Sequence, residues 1–238
     1  MNIFVLAAPD GSIAGRAQKA NAEANCFKRG RGSHIIETSL GKLGVGICAD
    51  THFIAFARLM QKEAVALLLM PHAWPTPATT TRVVSERDRQ DQVAKTKQLP
   101  HYYAQLLGVP VMFVNQVGSM GRLSGLLGRM MTPEIFRLEG RSRIVDADGT
   151  LKGELEAEEG IVIADVTLGR ARQPAFKPKS YGGWIDAGSS LARKVIIPLD
   201  ILFGRLRYTL STERRSKARE IYTRREEPSL RELVHASR

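Results

Sequence analysis

The stretch Gly44-Val-Gly-Ile-Cys48-Ala-Asp50-Thr-His-Phe53 decides how this chain is read. A β-rich run over residues 43–48 ends in a cysteine. From Phe53 the apolar residues switch to helical spacing, with Phe53, Phe56, Ala57 and Met60 on one face and Arg58, Gln61 and Lys62 on the other. A strand that ends in a cysteine and turns directly into a helix exposes that side chain at the C-terminal edge of a sheet. Backbone N–H groups at the helix start face the same place; they favour a thiolate and offer donors to a developing oxyanion. Cys48 is therefore a candidate nucleophile. A lone cysteine is more often a small buried apolar residue, and Cys26, in a polar stretch without such a turn, is read that way.

Outward from this elbow the pattern is that of a mixed α/β domain. Upstream, Ile3–Ala7 is a short apolar run closed by the Pro9-Asp10-Gly11 turn, residues 16–34 read as a polar loop, and residues 35–38 pair with 43–48 across Gly41-Lys42. Downstream, residues 65–70 and 109–115 are uninterrupted apolar runs, typical of strands buried on both faces. Between them lie a Pro- and Thr-rich loop over 75–81 and a long helix over 85–107. Residues 118–128 are glycine-punctuated and irregular, and 143–146 turn through Ala147-Asp148-Gly149 toward a partner strand at 161–166. This order puts apolar strands in the centre and helices on the outside. The domain spans residues 1–168, and residues 169–238 form a basic, partly helical C-terminal extension suited to wrapping a neighbouring subunit.

Composition narrows the function classes. The 238 residues are 43% hydrophobic and 25% charged, ordinary for a globular protein able to bury a substantial core. No apolar run approaches the ~18 residues of a membrane span. The opening Met1-Asn-Ile-Phe-Val-Leu-Ala-Ala lacks a basic leader region, so a cytoplasmic location is expected. Two cysteines make no disulfide framework. The net charge of +11 invites a nucleic-acid reading, but the late arginines are interleaved with Glu213, Glu220, Glu226 and Glu227, and few aromatics accompany them. A solvated tail is the simpler account. His34, His52, His72 and His101 show no metal-ligand spacing, and Gly118-Ser-Met-Gly121 matches no phosphate loop, so neither metal nor cofactor is expected.

Four runs carry a family resemblance: Gly44-Val-Gly-Ile-Cys48-Ala-Asp50, Leu67-Leu-Leu-Met-Pro71-His-Ala-Trp74-Pro75, Val114-Asn115-Gln116-Val117-Gly118 and Ser142-Arg-Ile-Val-Asp146-Ala-Asp148-Gly149. In this order and spacing the chain resembles the nitrilase superfamily of carbon–nitrogen hydrolases. The resemblance implies an α/β fold of the αββα sandwich type, paired across a homodimer or higher homo-oligomer. It also implies a Cys–Glu–Lys triad with a second glutamate near the lysine. Asp10-Gly11-Ser-Ile-Ala-Gly15-Arg-Ala-Gln-Lys19 looks like the lysine segment, and Glu23-Ala-Asn-Cys-Phe27-Lys-Arg-Gly30 like that of the second glutamate. In this reading Lys19 and the backbone N–H of Ala49 stabilise the oxyanion, and Glu23 holds the lysine. His52, Phe53, His72, Trp74 and Asn115 are the expected pocket residues.

There are departures. No residue matches the family's general-base glutamate, which lies before the lysine, so an N-terminally truncated domain is expected. The elbow lacks the usual Phe-Pro-Glu continuation, having Phe53-Ile-Ala55, and Ala20-Asn21 stands where His-Leu is usual after the lysine. The expected function is hydrolysis of a small amide, carbamoyl or nitrile compound through a cysteine acyl-enzyme. The rivals are an inactive fragment and a non-catalytic protein that binds through its basic tail.

Overall fold

The computed structural model describes residues 2–21, 29–30, 32–82, 84–168, 177, 179–186 and 192–223. Its central feature is a six-stranded sheet whose middle is parallel. β3 (Ile35–Thr38) and β4 (Gly41–Val45) form the expected hairpin. β5 (Leu67–His72) runs parallel to β4, and β7 (Val111–Asn115) parallel to β5. β10 (Arg143–Val145) and β11 (Leu151–Glu154) complete the sheet antiparallel, giving the order β11-β10-β7-β5-β4-β3.

Two helices cover one face. α1 (Ile54–Glu63) follows the elbow, and α2 (Glu86–Leu107) starts at a capping box in which Ser85 and Asp88 satisfy each other's backbone N–H groups. Phe56, Met60, Tyr103 and Leu107 from these helices bury against Leu68, Met70, Val111, Phe113 and Val145 of the sheet. Each such side chain contributes roughly 1.5–3 kcal/mol. The Gly-Val-Gly spacing has a packing reason. A Cβ at Gly44 would lie 2.5 Å from Met60 Sδ, and one at Gly46 would lie 2.5 Å from a Thr51 methyl and 2.6 Å from the Phe56 ring. Helix and elbow sit flush on β4 because neither position carries a side chain.

The other face is covered differently. β1 (Ile3–Ala7) and β2 (Ile13–Gln18) form a hairpin, so the polar segment read as a loop from residue 16 begins as strand. Phe4, Leu6 and Ala17 of this hairpin pack on Ile36, Val45, Ile47 and Leu69. Beyond its reach Val114 is 60% exposed, so β7 is not buried on both faces as its composition suggests.

A third, small sheet lies at the strand ends: β6 (Pro75–Pro77), β8 (Val117–Ser119) and β9 (Phe136–Glu139), in the order β6-β9-β8. The loop expected over 75–81 is therefore partly strand: Pro75 and Pro77 flank Thr76 on an edge, where their missing N–H groups cost nothing. The partner of β10 is residues 151–154 and not 161–166. Ile161 and Ile163 are 87% and 89% exposed and belong to no strand. α3 (Gly125–Met130), a π-helical turn (Ala192–Ile196), α4 (Ile197–Leu210) and α5 (Thr212–Thr223) complete the described elements. Among the described residues no helix is long and apolar enough to cross a membrane.

Candidate active site

The elbow is a strained turn. Ile47 is extended, Cys48 has φ +51°, and Cys48–His52 forms a 3-10 turn before α1 begins. A left-handed φ at a non-glycine residue costs on the order of 1 kcal/mol and persists only where surrounding contacts impose it. Those contacts are present. Thr51 Oγ1 donates to the Cys48 carbonyl at 2.9 Å, Asp50 N donates to Ile47 O at 3.2 Å, and Tyr103 on α2 donates its hydroxyl to Thr51 O at 2.6 Å. Cys48 itself stays half-buried at the wall of a cavity of about 900 Å³.

Lys19 reaches the same cavity from the other face of the sheet. It follows directly on β2, its N–H donates to Asn2 O at 3.0 Å, and its carbonyl accepts from Gly30 N at 2.7 Å. Its side chain lines the cavity with only 2% of the residue exposed. What ties this segment to the elbow is Asp50, a residue with no role expected from the sequence. Its carboxylate is fully buried and accepts from Asn21 N (2.7 Å), Ala20 N (3.1 Å) and Asn21 Nδ2 (3.1 Å). An acid inside an apolar strand-to-helix turn was the available signal. Only the fold shows that its partners are the two residues after Lys19.

Of the remaining expected residues, Ala49, His52, His72 and Trp74 also line the cavity. The His52 ring meets Trp74 edge-on at 4.5 Å, and His72 is held between Thr51 Oγ1 and the Met70 carbonyl, 3.1 Å from each. Burial is the main reason that both imidazoles lose their protons easily. His52 is lowered to about 4, with Lys19 also lowering it and Asp186 opposing, and His72 is lowered to about 3, helped by His52. Both are neutral at pH 7.

Two expected pocket residues do not line the cavity. Asn115 is used structurally: its carbonyl oxygen accepts from Trp74 N at 2.8 Å and its amide donates to Gly140 O at 2.7 Å, which ties β7 to the loops on either side of the small sheet. Phe53 points into the C-terminal segment, its ring 4.4 Å from that of Trp184. Glu23 and Cys26 lie outside the described residues.

That C-terminal segment is an unforeseen part of the site. Residues 181–186 lie across the elbow as a strap. Phe53 bridges to Trp184, Ile54 N donates to Gly183 O, and Ile185 N donates to His52 O, the last two at 2.9 Å. Asp186 pairs with Lys95 of α2 at 3.4 Å. Trp184 and Ile197 thereby join the cavity wall, and buried Asp200 on α4 accepts from Leu126 N at 2.6 Å at the start of α3. The site therefore extends across the boundary expected at residue 168. Among the described residues, no cluster of His, Cys, Asp and Glu could hold a metal ion, and no carboxylate lines the cavity.

The carbon-nitrogen hydrolase family model matches residues 1–175. A probable nitrilase of Schizosaccharomyces pombe is 28% identical over 201 residues, covering 83% of this chain and 63% of that protein. The crystal structure of a carbon-nitrogen hydrolase from Helicobacter pylori is 26% identical with a TM-score of 0.59, covering 70% of this chain and 57% of that one. A mutant of the amidase from Nesterenkonia sp. AN1, showing the result of Michael addition of acrylamide at its active-site cysteine, is 20% identical with a TM-score of 0.51, over 69% of this chain and 56% of that chain. This chain thus spans somewhat less than two thirds of the length of these relatives.

Proposed function

This chain belongs to the carbon-nitrogen hydrolase family, and from that premise we propose that Cys48 attacks the carbonyl carbon of a small amide to give a thioester, or the cyano carbon of a small nitrile, whose thioimidate adds water and loses ammonia to give the same thioester. The observation that carries the reading is the meeting of two sequence-distant groups in one cavity: a cysteine at φ +51° on a strand-to-helix elbow, and a lysine only 2% exposed. An ammonium and a thiol that line one cavity wall can act on the same substrate carbon, the sulfur as nucleophile and the ammonium as donor to the oxyanion. In the proposed step Cys48 Sγ attacks the carboxamide carbon, and the developing oxyanion takes Lys19 and the Ala49 N–H as donors. The C–N bond then breaks, the nitrogen leaves with a proton as ammonia or an amine, and water releases the acid from the thioester.

The thiol needs a proton acceptor, and no carboxylate lines the cavity among the described residues. A positioned general base contributes roughly 10²–10⁴-fold. Activated esters, whose leaving groups need no protonation, should therefore acylate Cys48 far faster than this chain turns over amides. Intact-mass spectrometry with p-nitrophenyl acetate tests this. A single acetyl adduct is expected, absent in Cys48→Ala and slowed in Lys19→Met. An adduct that survives in Cys48→Ala, or one indifferent to Lys19, refutes the assignment.

A further inference from the structure

From the cavity wall we infer the class of substrate: the acyl portion is an uncharged apolar group, an alkyl chain of several carbons or an aryl ring. This rests on the acyl-transfer reading above and adds what the site selects. A volume of about 900 Å³ is far larger than acetamide or acetonitrile needs and lies within the range that holds drug-sized ligands. Beyond Cys48 and Lys19 the wall is mainly apolar, with Trp74, Met120, Leu127 and Trp184 among its members, and Asn2, Gln116 and Ser119 add uncharged polar groups.

The charges in the wall point the same way. Among the described residues, those that line it include one lysine and one arginine, Lys19 and Arg122, and no aspartate or glutamate. Lys19 is the oxyanion partner. Arg122 is largely exposed and engaged with Glu134, so it stands at the rim. His52 and His72 are neutral, chiefly because burial penalises their charged forms. An acyl chain ending in a carboxylate or ammonium would put its charge against the apolar part of this wall, which is strongly unfavourable. An apolar chain gains roughly fourfold in affinity per buried methylene. Trp184 makes this selectivity depend on the strap over residues 181–186: its indole comes from the C-terminal segment, held to the elbow by two backbone hydrogen bonds and the Phe53 ring.

The molecule carries its own probe. Trp74 and Trp184 are the two tryptophans of the chain, and both line the cavity. Cys48→Ala protein, which cannot turn over, is titrated with acetamide, hexanamide and adipamate while tryptophan emission is followed. Hexanamide should bind on the order of a hundredfold more tightly than acetamide, and adipamate, its carboxylate-ended counterpart, no better than acetamide. In the Trp184→Ala variant, read through Trp74 alone, hexanamide should lose roughly tenfold in affinity. Leu127→Arg should gain adipamate. Adipamate binding the Cys48→Ala protein as well as hexanamide, or no saturable response to hexanamide, overturns the inference. Acylation of wild-type Cys48 by p-nitrophenyl acetate and hexanoate separates the two levels. Tight hexanamide binding with no acylation by either ester leaves the selectivity standing and removes the hydrolase reading. Equal acylation by both, with no preference in binding, does the reverse.

Discussion

Replacing Asp50 tests how the site is assembled. Its Oδ1 collects three donors from the two residues after Lys19, at 2.7, 3.1 and 3.1 Å, with no part of the residue exposed. Hydrogen bonds to a charged acceptor contribute about 1.5–3 kcal/mol each, roughly twice the neutral value. Asp50→Asn keeps an oxygen where Oδ1 stands and removes the charge. Part of the loss is offset because a neutral amide costs less to bury, so destabilisation should stay within about 2 kcal/mol. Asp50→Ala leaves two backbone donors and one side-chain donor without their acceptor, and about 4 kcal/mol is expected. Urea unfolding measures both. The functional readout is acylation of Cys48 by p-nitrophenyl acetate, measured well below each variant's midpoint so that only folded protein reacts. Asp50→Ala should slow it by about tenfold or more as the Lys19 segment comes loose, since small misplacements of an oxyanion donor are costly. Asp50→Asn should restore most of the rate. If Asp50→Ala unfolds within about 0.5 kcal/mol of the parent and acylates at the parental rate, Asp50 does not position Lys19.

The neutral histidines give a pH dependence with a definite sign. His52 and His72 titrate near 4 and 3 in the folded protein, against 6.5 for an imidazole in water, so the unfolded chain binds more protons below about pH 6.5. Their contribution is full above pH 6.5 and falls as pH drops toward the folded values, by up to about 1.4 kcal/mol per pH unit for each histidine. His72→Gln should flatten the urea midpoint between pH 6.5 and 4.5, and an unchanged slope counts against burial as the cause. Asp200→Ala should cost about 1–2 kcal/mol, the loss of a carboxylate that caps the start of α3. Because α3 carries Leu127 of the cavity wall, it should also weaken hexanamide binding, and unchanged binding would show that α4 does not support the site.

The short-range pattern determined the central strands, the helices α1 and α2 and the elbow. Alternating and continuous apolar runs, the Gly44 and Gly46 spacing and the Ser85 cap are local physics, and residues 35–115 fold largely as their composition dictates. Local pattern also failed in specific places. Residues 75–77 became an edge strand because a distant partner, β9, supplied the pairing, and the partner of β10 came from 151–154 and not from the more apolar 161–163. Cys48 is proposed from its place at a strand end and Lys19 from the family resemblance; the structure brings both, with Ala49, His52, His72 and Trp74, to the wall of one cavity. Asn115 also ends a strand, but its side chain lies outside the cavity wall and is bonded to the Trp74 and Gly140 backbones, a pairing that the sequence does not show. What only the tertiary structure decided is the work of Asp50 and of the strap. A carboxylate's role depends on which donors surround it, and here those donors lie about thirty residues away. The strap's place over the elbow rests on backbone hydrogen bonds from Ile54 and Ile185, and main-chain pairing over such a separation leaves no mark in side-chain periodicity.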